Sequence, residues 1–425
     1  MAPAGALLYI FFEYSGFPLT ASLERNVRLY RWFHFASSFY GWLPVFFLYF
    51  NQYVTLAQTM QLGAIYYFSV CLCEVPSGYL SDRTGRRFTL ILSAISLAIA
   101  YSFFLAADSF ALLAVGQFFL AMGIAMMSGT DTAFLYDSLL SLGRKTEYAV
   151  QEARAQKYGF AAASLTSLLG GGLGMYDLRL AYWLSMAGAL WMVLIAIRFV
   201  EPKIDHKSAT QSMFKTIGQC VGALANPVLG WLFAVMILMY CLEHITFEFY
   251  QPYIRLMGFD WFDGDNAALV SAVVISASMF GGTLGAAYSV RLYDRFGIKA
   301  LLVMAFLFQL AILSGLSLIL SGMMLSLVVF RNFPMAMISA PVNATIAPLV
   351  GSHLRATYLS IQSLSARLVL SGLLFVLSRT IDSSQSLDWI NLSFVLREAL
   401  VFGLVCTVLV VAIAPAQISK AEQKS

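Results

Sequence analysis

Charge is what this sequence has least of. Lys, Arg, Asp and Glu together make up 11% of its 425 residues, against 60% hydrophobic side chains. Soluble domains carry about a quarter charged residues, so no water-exposed exterior of this size could be covered by this chain. The net charge of +4 is not gathered into a basic tract, which excludes a nucleic-acid partner. Cysteine is also scarce. Cys71 and Cys73, two apart, diverge on a helix and cannot chelate together, and Cys220, Cys241 and Cys406 are isolated. They read as small buried apolar residues. No metal-ligand spacing, cofactor motif or phosphate-binding G-x-x-x-x-G-K-[ST] loop is present, so no metal, cofactor or ATP is expected. No nucleophile, base and orienting residue form a set, so no enzyme is expected either.

What is abundant is long apolar runs. Stretches of 18–25 residues recur near 30–50, 58–79, 88–107, 110–134, 158–176, 180–199, 226–249, 267–289, 300–320, 323–349, 357–378 and 393–414. The pattern predicts an all-α membrane protein of twelve transmembrane helices. Arginine and lysine orient it. Arg25, Arg28, Arg31, Arg83, Arg86, Arg87, Arg144, Lys145, Arg154, Lys157, Arg198, Lys203 and their later counterparts fall on one side, whereas the alternate loops hold only Arg179, Arg255, Arg379 and Arg397. Both termini are therefore expected in the cytoplasm, and the chain in the cell membrane.

The longest break opens with "EPKIDHKSAT" and continues with Met213, Phe214, Ile217, Val221 and Leu224 on one helical face, suiting a helix lying on the bilayer. It divides the chain into an N-terminal segment (1–28), a six-helix bundle (29–200), a cytoplasmic linker (201–225), a second six-helix bundle (226–415) and a short tail (416–425). In residues 1–28, "GALLYIFF" is too short to span and has no positive flank of the signal-peptide kind. The halves repeat: "GYLSDRTGRR" (78–87) after span two has a worn copy, "RLYDRFGIK" (291–299), after span eight. Asp294, Arg295 and Gly297 fall on Asp82, Arg83 and Gly85, and "QFFLAMGIAMM" (117–127) falls on "RNFPMAMISAP" (331–341).

Gly78, Asp82, Arg83, Gly85, Arg86 and Arg87 match G-[YF]-x-x-D-R-x-G-R-[RK], and the loop resembles the signature loop of the major facilitator superfamily. The resemblance implies a secondary carrier in which two six-helix repeats alternate access to a midplane site. It also implies that this loop latches the halves, with the aspartate facing the start of span eleven near "RATYLS" (355–360), and that none of these residues touches the solute. Gly78 would allow close helix approach and Gly85 a turn with positive φ, while Asp137 can partner the loop arginines. Two departures stand out. The R-x-x-x-G-x-G pattern of many proton-coupled members reads Gln117, Ala121 and Gly123 in span four, although the second copy has Arg331. The glycine-rich "SLTSLLGGGLG" (164–174) of span five lacks the proline of drug antiporters.

Ionisable groups inside spans are costly, so each is a candidate site. Span seven carries Glu243 with Phe247, and His244 with Glu248, both i,i+4 pairs. These are candidate proton carriers or, if the helix end is wet, rim charges. Arg331 and Arg367 either neutralise those carboxylates or bind an anionic solute, with Asn332, Gln117 and Phe247 as further lining. Glu74 and Asp131 are additional proton candidates, although Asp131 could also be rim. His34, among aromatics, is a further substrate-lining candidate and suits packing or hydrogen bonding more than proton relay. The expected function is export of small organic or amphiphilic solutes by a monomer driven by protons. Organic-anion transport, or a membrane sensor without flux, is the alternative.

Overall fold

The structure is a computed structural model that describes residues 19–202, 213–258, 266–381 and 387–415. Most of the N-terminal segment, the polar start of the linker and the tail therefore lie outside the described residues, as does the side chain of Asp82. A backbone crossing a bilayer must pair its own polar groups, which leaves apolar runs little choice but helix. The helices are α1 (Leu19–Ser37), α2 (Phe46–Phe50), α3 (Leu56–Thr84), α4 (Arg86–Leu105), α5 (Phe110–Met127), α6 (Thr130–Ser141), α7 (Tyr148–Gly174) and α8 (Leu178–Arg198). Then follow α9 (Met213–Ala223), α10 (Pro227–Met257), α11 (Ala267–Leu318), α12 (Gly322–Val328), α13 (Phe333–Ile346), α14 (Ser352–Ser378) and α15 (Trp389–Ala412). Among the described residues, nine helical segments, with α5–α6 and α12–α13 each counted as one, are long and apolar enough to span a membrane. Pairing α1 with α2, α5 with α6 and α12 with α13 as broken crossings, adding α7, and dividing α11 at Gly297, accounts for twelve. The expected amphipathic linker helix is α9, with the side chains of residues 213–216 outside the described set.

The repeat is visible in the backbone. Between α3 and α4, Gly85 adopts φ 103° and ψ 153°; within α11, Gly297 adopts φ 73° and ψ 171°. This region is open essentially only to glycine. Each loop copy thus turns on its glycine in the same conformation.

By packing, the chain forms two compact units. Unit 1 comprises Met1–Trp42, Ser69–Leu169 and Arg179–His206; unit 2 comprises Leu43–Phe68, Gly170–Leu178 and Lys207–Ser425. In unit 1, α4 lies along α5, with Ser93 Oγ donating to the Gly123 carbonyl at 2.7 Å. The fully buried Asn26 donates to Val200 O at 2.7 Å, accepts from Val200 N at 2.9 Å and so ties α1 to the exit of α8.

In unit 2, α10 is the central helix, packed on α2, α11, α14 and α15. The break in the first crossing, where Gly41 and Pro44 stop α1, leaves backbone groups unpaired. Gln251 of α10 covers two of them within this unit, accepting from Phe47 N at 3.0 Å and donating to Leu43 O at 2.9 Å. Such breaks are tolerated in bilayers when neighbours satisfy the freed groups. Large apolar side chains such as Phe160, Trp183, Leu194, Leu307 and Val408 are exposed, as a lipid-facing surface requires.

Candidate functional site

The loop after α3 is organised by a residue from the other end of unit 1's sequence. Glu201, just past α8, accepts the backbone N–H of Arg86 at 2.7 Å and of Arg87 at 2.8 Å. It thereby covers two orphan donors at the start of α4 and opposes that helix's positive end. Burial raises the Glu201 carboxyl above its ordinary range, and the two N–H groups act against that shift. A Cβ on Gly85 would lie 2.7 Å from the Glu201 carboxyl carbon, so glycine is required here for space as well as for φ. Arg86 Nε lies 3.6 Å from Asp137, an electrostatic contact, and Arg86 Nη1 donates to Ser81 Oγ at 3.0 Å. Arg87 donates to the Ile197 carbonyl at 2.8 Å. Arg83 and Arg295, the paired residues of the two copies, each cover an aromatic ring, Tyr79 at 4.8 Å and Phe296 at 5.2 Å. Asp294 is exposed. At Gly78, a Cβ would meet no described atom within 4 Å, so the helix approach expected there is not made among the described residues in this conformation.

The candidates within the crossings fall into two groups. In unit 1, His34 Nε2 lies 3.3 Å from Asp131 Oδ2, and both residues are buried at 8% exposure. Tyr30 packs edge-on against the imidazole and donates to Glu152 at 2.8 Å. Asp131 sits in the first turn of α6 and accepts from Thr132 N at 2.7 Å, where a carboxylate opposes the helix dipole. Gln117 is buried in α5, and Glu74 is half-buried on α3.

Unit 2 brings the rest together around α10. Pro252 removes the helical N–H that Glu248's carbonyl would accept, loosening α10 at this point. Glu248 Oε1 accepts the Tyr67 hydroxyl of α3 at 2.9 Å. His244 Nδ1 lies 3.0 Å from the Tyr240 carbonyl, to which it donates in the Nδ1–H tautomer, and its ring stacks on Tyr240 at 3.8 Å. The charge of Arg367 of α14 acts on the Tyr240 hydroxyl. Phe247 stacks on Phe46 at 5.6 Å, and the Arg331 guanidinium lies over the Phe247 ring at 4.8 Å. Arg331 stands in the break between α12 and α13, beside Asn332. That break lies against Gly281 and Gly285 of α11, whose missing side chains admit the Val329 and Phe333 backbone. Glu243 and Glu248 are the carboxylates whose charges act on Arg331. A buried cation costs several kcal/mol unless such charges and hydrogen bonds offset it.

Tyr67, Gln251, Glu201 and Ser371, which donates to the Ala64 carbonyl at 2.8 Å, are absent from the sequence candidates. Glu201, beside Pro202 at a span end, carried a positional signal; one tyrosine among many did not. Among the described residues, no three His, Cys, Asp or Glu side chains are grouped to hold a metal.

The family model of the Major Facilitator Superfamily matches residues 32–376. Among solved structures, a point mutant of the nucleoside transporter NupG superposes with a TM-score of 0.73 at 14% identity, covering 94% of this chain and 100% of that one. A bacterial homologue of the human lysosomal transporter Spinster, in an inward-facing and unoccupied conformation, gives 0.66 at 17% identity, covering 95% and 97%. A point mutant of the peptide transporter POT gives 0.65 at 13%, covering 94% and 96%. No curated protein sequence matches. These likenesses, a family match over most of the length and the glycine-turned loop repeated in both halves, identify the chain as a transporter of the Major Facilitator Superfamily.

Proposed function

We propose that this transporter is driven by protons and moves small organic solutes by alternating access, with Glu248 as the proton-binding group. The observation that carries the reading is the Tyr67–Glu248 hydrogen bond at 2.9 Å. A phenol donating to a carboxylate is charge-assisted and stronger than its neutral counterpart. A proton arriving on Glu248 removes that charge and loosens α3 from α10. Proton uptake and the parting of two packed crossings then become one event. Glu243 and His244 lie within one turn and extend the path along α10. The motif loop, Asp137 and the termini are placed on the cytoplasmic side, where the loop acts as a latch and touches no solute. The molecule works as a monomer.

The aromatic lining from Tyr67, Tyr240 and Phe247 suits amphiphilic solutes, and export is the favoured direction. The second reading, transport of an organic anion, is favoured by Arg331 alone.

Proteoliposomes with an imposed pH gradient test the proposal. Glu248→Gln should lower gradient-driven accumulation at least tenfold while solute exchange across the vesicle wall continues. Tyr67→Phe should keep the coupling and weaken the closure. Accumulation at the unaltered rate in Glu248→Gln would refute the assignment.

A further inference from the structure

We infer that the solute is a zwitterion with a flat apolar body, which brings a carboxylate to Arg331 and an ammonium group to Glu243. The inference rests on the carrier reading above and assigns the cargo of the same site.

Its basis is which charges around α10 already have partners. Glu248 has the Tyr67 hydroxyl, Arg367 is partnered and acts on the Tyr240 hydroxyl, and His244 has the Tyr240 carbonyl. Arg331 is 6% exposed, yet among the described residues its guanidinium makes no hydrogen bond and no ion pair. One face of that group is covered by the Phe247 ring, at 4.8 Å, while its N–H donors lie in the guanidinium plane. A planar fork of donors held this way matches a carboxylate bidentately.

Glu243 is the complement. It lies one helical turn before Phe247 on the same face of α10, and it too makes no hydrogen bond or ion pair among the described residues. Its charge and that of Arg331 act on each other without touching. The site therefore presents one unbonded cation and one unbonded anion, on separate elements, with the Phe247 ring beside both.

A solute with a single negative charge would satisfy Arg331 and be repelled by Glu243. A solute with a single positive charge would meet the reverse. Only a molecule bearing both poles serves the two groups at once. Phe247 on Phe46 and Tyr240 on His244 form stacked aromatic walls, which favour a planar or aromatic body.

Three probes with one shared body separate the charges: L-phenylalanine, phenethylamine and 3-phenylpropionate. Binding is read by thermal shift of the purified full chain, independently of flux. Phenylalanine should bind at least tenfold more tightly than either analogue. Arg331→Gln should erase the preference for phenylalanine over phenethylamine, and Glu243→Gln its preference over 3-phenylpropionate. The wild-type ranking is informative even if a variant fails to fold. Equal binding of either analogue, or no binding of phenylalanine, would overturn the inference. If phenylalanine fails while another solute moves under a pH gradient that needs Glu248, the inference falls and the carrier reading stands. If the expected ranking appears and no gradient moves any solute, the inference stands and the carrier reading falls.

Discussion

His34 and Asp131 illustrate how a side chain acquires a partner that its own sequence neighbourhood does not announce. The histidine sits among aromatics in α1 and the aspartate opens α6, yet their side-chain polar atoms lie 3.3 Å apart. Removing either leaves the other buried beside apolar rings and short of a partner, a loss of about 1–3 kcal/mol. His34→Asn and Asp131→Asn should each lower the unfolding temperature, and the double variant should lose less than the sum. Strict additivity in that cycle would mean that the two residues do not interact. At this scale the sequence was partly legible. Glu243, His244, Glu248 and Arg331 declare themselves because charge in an apolar run is rare. Tyr67 and Gln251 do not, since one tyrosine in a chain with 21 and one amide carry no such signal. Their importance comes from contacts between residues far apart in the chain, such as Tyr67 with Glu248, which no local pattern encodes.

The elements were easier to read than their interruptions. Length and hydropathy locate the crossings, but the breaks at 38–45, 128–129 and 329–332 depend on which neighbours cover the freed backbone. The motif loop is the exception, because Gly85 and Gly297 mark a turn that side chains resist. Gly85→Ala should cost about 1–3 kcal/mol through backbone strain, with a further loss from collision with Glu201. In a Glu201→Ala background, itself short of the two N–H partners at the start of α4, Gly85→Ala should cost only the strain part. Glu201 also gives a pH signature. Burial raises its folded-state pKa above the unfolded value, so the native chain binds this proton more readily. Its contribution to stability therefore falls as pH rises from the ordinary glutamate range through the raised value. Glu201→Gln should flatten that slope in melting curves taken across the window. An unchanged slope would assign the titration to another group.

At the scale of the whole molecule, the sequence halves and the packed units divide the chain differently. The repeat in the motif loops cuts it at the linker, whereas Leu43–Phe68 and Gly170–Leu178 pack with the second half in unit 2. Sequence similarity records ancestry and local geometry; packing records the conformation the chain is in. Within unit 2, Tyr67 on Glu248, Ser371 on the Ala64 carbonyl and Gln251 on Leu43 and Phe47 fasten segments of the first half to helices of the second. Under the proposed alternating-access mechanism, these contacts part in every cycle. The Ser371–Ala64 contact offers a direct restraint, because a hydroxyl 2.8 Å from a backbone carbonyl holds α14 against α3, where an introduced cysteine pair can be tested as a cross-link. The native cysteines Cys71, Cys73, Cys220, Cys241 and Cys406 form no disulfide and can be replaced to give a clean background. In that background, Ala64→Cys with Ser371→Cys should, once oxidised, retain solute binding and lose flux, and a reductant should restore the flux. Transport at the full rate through the oxidised protein would mean that α3 and α14 stay together throughout the cycle, and that access changes by another route.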